Sequence, residues 1–236
     1  MTGVQTCALP IFYCRESGAR ISNNRVFGNV INDADLSTSG GGILAYQANE
    51  KPYVIIEHNV VRENVAESGS DYSQGGGISF YANGKIINNS IIGNISIAKN
   101  QGGGAGIVFG GDGPVLIQDN TVMQNEGTTR GNQKSALATI CGMNARVEIT
   151  NNDISENAVR CVNTGAMGAG IYLYNVREIA VIRKNTIAKN RYNNNFYGSG
   201  ACYFSECKEV LVDSNFIIDN IKTGGLALAR DVIVSC

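Results

Sequence analysis

The sequence predicts an all-β chain coiled into a solenoid, with three parallel sheets wound around one core in about seven turns. Three observations carry this. Glycine (29) and asparagine (28) make up nearly a quarter of the 236 residues, yet 43% are hydrophobic. That balance excludes a polar disordered chain and argues against a helical one, because both residues disfavour helix interiors. A nine-residue template recurs seven times. A Gly-rich turn leads into an alternating strand before most copies of it. Periods of roughly 20 to 50 residues mark solenoids and propellers.

The template reads aliphatic-x-x-Asn-x-aliphatic-x-x-Asn. Its copies are Ile21–Asn29, Ile56–Asn64, Ile86–Asn94, Ile117–Asn125, Ile149–Asn157, Ile182–Asn190 and Val212–Asn220, and the inner Asn recurs at steps of 30 to 35 residues. The inner Asn is read as a corner residue in the left-handed backbone region. Its amide is expected to donate to the Asn of one neighbouring turn and accept from the other, forming a ladder. Sugar or metal binding by the same column is the alternative. The Gly-led strands are GGGILAY (Gly40–Tyr46), GGGISFY (Gly75–Tyr81), GAGIVFG (Gly104–Gly110), GAGIYLY (Gly168–Tyr174), GSGACYF (Gly198–Phe204) and GGLALA (Gly224–Ala229); the turn near Ser135–Gly142 is degenerate. A short strand, such as Val115 to Ile117, leads into each template. Such strands are too short to stand alone and are satisfied by pairing with their equivalents one repeat away. Alternation places Ile43, Ala45, Ile171 and Leu173 inward and Leu44, Tyr46, Tyr172 and Tyr174 outward. Propeller blades need antiparallel strands and a longer repeat.

Formal net charge is −1, from 19 Lys+Arg against 20 Asp+Glu, which gives no electrostatic case for nucleic acid or an anionic membrane. No run reaches the roughly 18 apolar residues of a membrane helix. Met1–Ile11, MTGVQTCALPI, resembles the conceptual translation of a sequencing-library adapter over its whole length. Residues 12–236 are therefore expected to form one domain, truncated at its N-terminus.

The repeated I-x-N-N-x-I-x-x-N pattern, followed by a loop and GGGI, resembles the right-handed parallel β-helix repeats of the pectin-lyase-like superfamily, from Ala19 to about Val234. It is more weakly similar to the repeats of polymorphic outer-membrane proteins; only Gly224-Gly225-Leu226 approaches their form, and Ile or Val stands where they carry Phe. The resemblance implies right-handed coiling, an extracellular or cell-surface location, and polysaccharide as the partner. It does not by itself imply catalysis. The Asn-Thr-Asp, Asp-Asp, Gly-His-Gly and Arg-Ile-Lys motifs of polygalacturonases are absent, as are the Tyr-Gly-x-Asp-Pro-His box of mannuronan epimerases and the dense Asp cluster of calcium-dependent pectate lyases.

Two readings of function follow. The first is a non-catalytic surface or secreted solenoid that binds polysaccharide or serves as a spacer. Its ligand residues are the outward aromatics Tyr46, Tyr81, Tyr174 and Phe204, with Tyr172 beside them, because such rings stack on sugars. The loops that flank them vary in length (residues 30–39, 65–74, 127–134 and 191–197), which is where a solenoid varies its specificity. The second is a fragment of a polysaccharide lyase or glycoside hydrolase. Its candidates are Glu156, Lys189 and Asp219 in one column and Arg183 and Asp213 in another, with Lys189 or Arg183 as base. The plainer reading of the same columns is solvated ion-pair ladders that set register. No metal site or cofactor is expected; Ca2+ enters only with the lyase reading. His58, the only histidine, is placed at a corner. Gly110–Pro114 is read as a turn, and the cysteines Cys14, Cys141, Cys161, Cys202, Cys207 and Cys236 as buried thiols. The sequence does not fix oligomeric state.

Overall fold

The computed structural model describes residues 12–34, 37–47, 53–69, 72–111, 113–130, 138–161, 168–192, 200–222, 225–228 and 234–235. Met1–Ile11, Asp112 and Cys236 lie outside them. The described residues contain strands, bends and turns only.

One turn shows the whole plan. Ile78–Tyr81 runs in the first sheet, Gly84–Ile87 in the second, Ser90–Ile92 in the third, Ile95–Ala98 in the fourth and Gln101–Gly103 in the fifth. Each strand pairs in parallel with its equivalents one turn away; Ile86, for example, lies between Ile56 and Ile117. The sheets hold 8, 8, 7, 6 and 3 strands. Among the described residues the six strands of the fourth sheet mark about six turns, one fewer than the seven templates, because after the seventh only Ile221 is bridged to that sheet.

The expected unit had three strands, and the structure adds to it. The stretches read as variable loops begin with a fourth strand, such as Val65–Ser68, and among the described residues three turns have a fifth, such as Tyr72–Gln74. These two lie face to face as an arch filled by small residues. Ser73 Oγ donates to Ala66 O (2.9 Å), lies 3.1 Å from Ser96 Oγ and accepts from Thr38 Oγ1 (3.2 Å), all buried. The arch closes at a neck where the Gly triplets cross the template. A Cβ on Gly77 would sit 3.0 Å from Ile91 and 3.1 Å from the Asn94 amide; Gly42 and Gly106 meet Val61 with Asn64 and Val122 with Asn125 in the same way. The Gly-rich turn and the outer Asn recur together because they pack on each other.

The core is the inward residues of the first three sheets, headed by Ile43, Ile56, Ile78, Ile86, Ile91 and Ile107, all fully buried. Burying a side chain of this size contributes about 1.5–3 kcal/mol. Phe80 and Phe109 are register partners in the core. The Phe109 ring fills the space where a Gly142 Cβ would stand, 2.0 Å away, which explains why glycine takes that inward position.

Both Asn positions of the template form ladders. Asn120 Nδ2 donates to Asn152 Oδ1 (3.0 Å), to Ile86 O in the preceding turn (2.8 Å) and to Gln118 O (2.9 Å), while its Oδ1 accepts from Asn89 N (2.9 Å) and Nδ2 (3.0 Å). The outer column repeats this through Asn64, Asn94, Asn125, Asn157 and Asn190. One expectation is corrected: the left-handed residue is not the ladder Asn but the one before it. Asn23, His58, Asn88, Asp119, Asn151, Lys184 and Ser214 have φ of 53° to 60° at the inner corner. The corner must reverse direction there so that the next residue can turn its amide inward.

Candidate functional site

The outward face of the first sheet carries two files of side chains. One runs Arg15, Tyr46, Tyr81, and then through Met143 to Tyr174 and Ser205. The other runs Tyr13, Leu44, Ser79, Val108, Cys141, Tyr172 and Tyr203. At the N-terminal end Tyr13, Arg15, Leu44, Tyr46 and Tyr81 line a depression of about 500 Å³, with Ser39 and Gln74 of the arches forming its side. Tyr13 and Tyr46 are 48% and 42% exposed. The Tyr46 and Tyr81 rings are tilted by 59° at 6.5 Å. Gly110 gives Tyr81 its place, since a Cβ there would press on the ring at 3.3 Å. Tyr81 donates its hydroxyl to Gln74 Oε1, and burial raises its phenol above the usual range.

At the other end Tyr172 stacks on Tyr203 at 5.7 Å and on Tyr174 at 6.5 Å. Here two of the proposed ligand residues are placed differently from expectation. Phe204 is fully buried in the core and pairs with Leu173, and Tyr172 is 5% exposed. Ala201 occupies the position of the third glycine, packed like Gly170, so the strand starts at Cys202 and Tyr203 takes the outward site. Tyr172 faces outward but lies under a second small core with Val108, Ala138 and Cys141. Tyr46, Tyr81 and Tyr174 do share one file.

Of the charged candidates, Glu156, Lys189 and Asp219 occupy the outer corner, and Arg183 and Asp213 end strands of the second sheet. Glu156, Lys189 and Asp219 succeed one another along the axis, each exposed, at φ of 57°, 53° and 53°. Glu156 and Lys189 line one shallow groove with Gln124, Glu126 and Arg191; Asp219 does not. Glu156 Oε2 accepts from Gln124 Nε2 (3.1 Å), and Glu126 is paired with Arg160 (2.9 Å). Arg183 and Asp213 are register partners, as expected. Arg183 nevertheless pairs with Glu148 (2.6 Å), and Asp213 accepts from Ser214 Oγ (2.9 Å). Among the described residues no three His, Cys, Asp or Glu side chains are grouped to hold a metal ion.

The family model described as "Right handed beta helix region" matches residues 10–217. The chain belongs to that family. No curated protein and no solved structure matches it. No described helix of this β-helix is long and apolar enough to cross a membrane.

Three features of the β-helix escaped the sequence reading. Tyr13 lies outside the template and has no glycines before it. Tyr203 was displaced by one residue in the pattern count. Tyr53, 46% exposed with its phenol raised by partial burial, stands at the bend before the second sheet. His58 is the exposed corner residue that the pattern gave. Cys14, Cys141, Cys161, Cys202 and Cys207 are buried and none is disulfide-bonded. Burial pushes the Cys141 and Cys202 thiols up to about 12, far from the range of a reactive thiolate.

Proposed function

We propose that this β-helix is a non-catalytic surface or secreted solenoid that binds polysaccharide along the outward face of its first sheet. The observation that carries the reading is the depression formed by Tyr13, Tyr46 and Tyr81 with Arg15 and Gln74. Exposed rings offer flat apolar faces to sugar C–H groups, and the neighbouring polar groups suit hydroxyls. The arches wall this face on one side. Native gels cast with pectate, alginate or galactomannan test it. The parent chain is expected to be retarded, and Tyr46→Ala to lose about fivefold in affinity with an unchanged melting temperature, the scale of about 1 kcal/mol for one aromatic platform. Retardation equal in parent and Tyr46→Ala refutes this face as the site.

The second reading, a fragment of a polysaccharide lyase or hydrolase, draws on Lys189 beside Glu156 in the corner groove. In it Lys189 is the base, and any Ca2+ would accompany an acidic substrate. Steady release of unsaturated uronate ends from pectate or alginate, abolished by Lys189→Ala, would establish it and displace the first reading.

A further inference from the structure

We propose that the β-helix carries a second carbohydrate groove, on the outer face of its second sheet, that takes a run of neutral sugar units laid along the solenoid axis. This rests on the polysaccharide reading above and extends it to a second, independent surface. The groove holds about 410 Å³ and crosses consecutive turns, within the size range of small-ligand sites. Its lining changes character from one turn to the next. Pro114 and Leu116 form an apolar step, Arg146 and Glu148 a charged step, and Ile179 and Val181 a second apolar step; the register Val115–Val147–Ala180 puts these on successive rungs. Tyr53 stands two rungs before Pro114, through Val54–Gly84–Val115, and closes that end with an exposed ring. From Tyr53 to Ile179 is four rung spacings, or roughly 19 Å.

Each rung spacing is comparable to the advance of one pyranose unit in an extended chain, so each step can meet one unit. The apolar steps and the Tyr53 ring suit C–H faces. At the charged step Arg146 donates and Glu148 accepts, the two functions that a vicinal pair of hydroxyls needs. Both are oriented by partners outside the groove, Arg146 by Glu178 (3.8 Å) and Glu148 by Arg183 (2.6 Å). The step is charge-balanced, which favours a neutral sugar over a uronate. An extended peptide fits less well. The inner strands of the second sheet are paired on both sides, which leaves no free edge along the groove for strand addition.

Two separated grooves make the chain bivalent, able to bridge two polysaccharide strands. The test uses native gels containing galactomannan, xyloglucan or mixed-linkage β-glucan at low and high salt. Tyr53→Ala and Arg146→Ala are expected to weaken retardation about fivefold each, in both salts, with melting temperature unchanged because both side chains are surface-exposed. Tyr53→Ala combined with Tyr46→Ala should weaken retardation more than either alone, and the parent should cross-link and precipitate the polymer at concentrations where either single variant does not. If Tyr46→Ala alone removes all binding, or the Tyr53 and Arg146 variants behave as the parent, the second groove is overturned and the first-sheet reading stands. A parent that none of these polymers, pectate or alginate retards overturns both.

Discussion

Each ladder Asn is held by more bonds than its size suggests, and this sets what its replacement does. Asn152 Nδ2 donates to Ile117 O (2.9 Å), Thr150 O (3.0 Å) and Asn185 Oδ1 (3.0 Å), and its Oδ1 accepts twice from Asn120. Asn152→Asp keeps the acceptor, loses the two N–H donors that serve these three acceptors and turns an oxygen towards them. Leaving buried groups unpaired costs about 1–3 kcal/mol, more for a charge. Burial also raises the folded pKa of the new carboxyl above its unfolded value of about 3.9. The folded form then keeps a proton that the unfolded form has lost. Stability therefore falls as pH rises from about 4 to that folded pKa and is flat above it. Asn215 is only half-buried and donates two bonds, to Ile182 O and Asp213 O, so Asn215→Asp should cost less than half as much. Urea melts of both variants at pH 4 and pH 8 measure this; equal midpoints for the two, with loss of glycan binding alone, would mean a binding column rather than a structural one. The corner position is a separate matter. Lys189 sits at φ 53° in a column that elsewhere holds Gly28 and Gly93. A left-handed residue with a side chain costs about 1–2 kcal/mol, while added glycine freedom in the unfolded chain returns about 0.4–1. Lys189→Gly is thus expected to be neutral or slightly stabilising in thermal melts, and Lys189→Val to lower the midpoint. A large destabilisation by Lys189→Gly would show that its side chain holds the fold.

At the scale of the element, the Gly-led turn is the least tolerant part of each repeat. A Cβ on Gly76 would stand 2.5 Å from Ile95 O and 2.7 Å from Ala105 O, both backbone atoms that cannot swing aside, whereas Gly28 has nothing within 4 Å of its Cβ. Gly76→Ala should destabilise by about 3 kcal/mol or more, at or beyond the usual range for overpacking, and Gly28→Ala by about 1 from its φ of 66° alone. Denaturant midpoints of the pair check the difference; similar values would mean that the neck relaxes. This contrast also explains what could be read from the sequence. Glycine at the neck and asparagine at the corner are required by backbone approach and by a fixed set of hydrogen bonds, so they recur and announce the coil. The fourth strand carries no such requirement. Val65-Ala66-Glu67 pairs with Ile95-Ser96-Ile97, and the inward residues of this strand are small and partly polar because an arch only two strands thick has no room for a core. Nothing in that pattern marks a strand. Phe204 was misplaced for a related reason. Counting from Gly198 assumes that three glycines precede the strand, yet alanine serves as the third when the packing permits it. The Tyr46–Tyr81 pair was legible because both follow intact triplets; Tyr13 and Tyr53 follow none, and only the coil brings them beside their neighbours.

Taken as a whole, the molecule is a stack in which each turn touches only the turns on either side, so its stability is close to a sum of turns and their interfaces. The two ends of the described stack are unequal to its middle. In the inward file of the first sheet, Phe80, Phe109 and Phe204 are fully buried, but Leu228, one rung beyond Phe204, is 49% exposed; in the third sheet Ile217, one rung beyond the fully buried Ile187, is only partly buried. A turn covered on one side gains about half the interface of an inner turn while losing the same chain entropy on folding. The last turn should therefore open on its own, without the rest. Hydrogen exchange read by mass spectrometry is expected to show the slowest amides in Gly84–Ile92 and Val115–Met123, where both Asn ladders are continuous on either side. Amides of Phe216–Ile218 and Leu226–Leu228 should exchange at least a hundredfold faster, as sub-global openings do. The gradient has a consequence for binding. Tyr53, Leu116 and Glu148 lie on inner turns that stay closed, so the groove they form is preorganised and glycan binding there should leave exchange in the last turn unchanged. Exchange that is uniform along the chain, slowing everywhere when glycan is added, would instead make the solenoid one cooperative unit and remove the basis for treating its turns as separable.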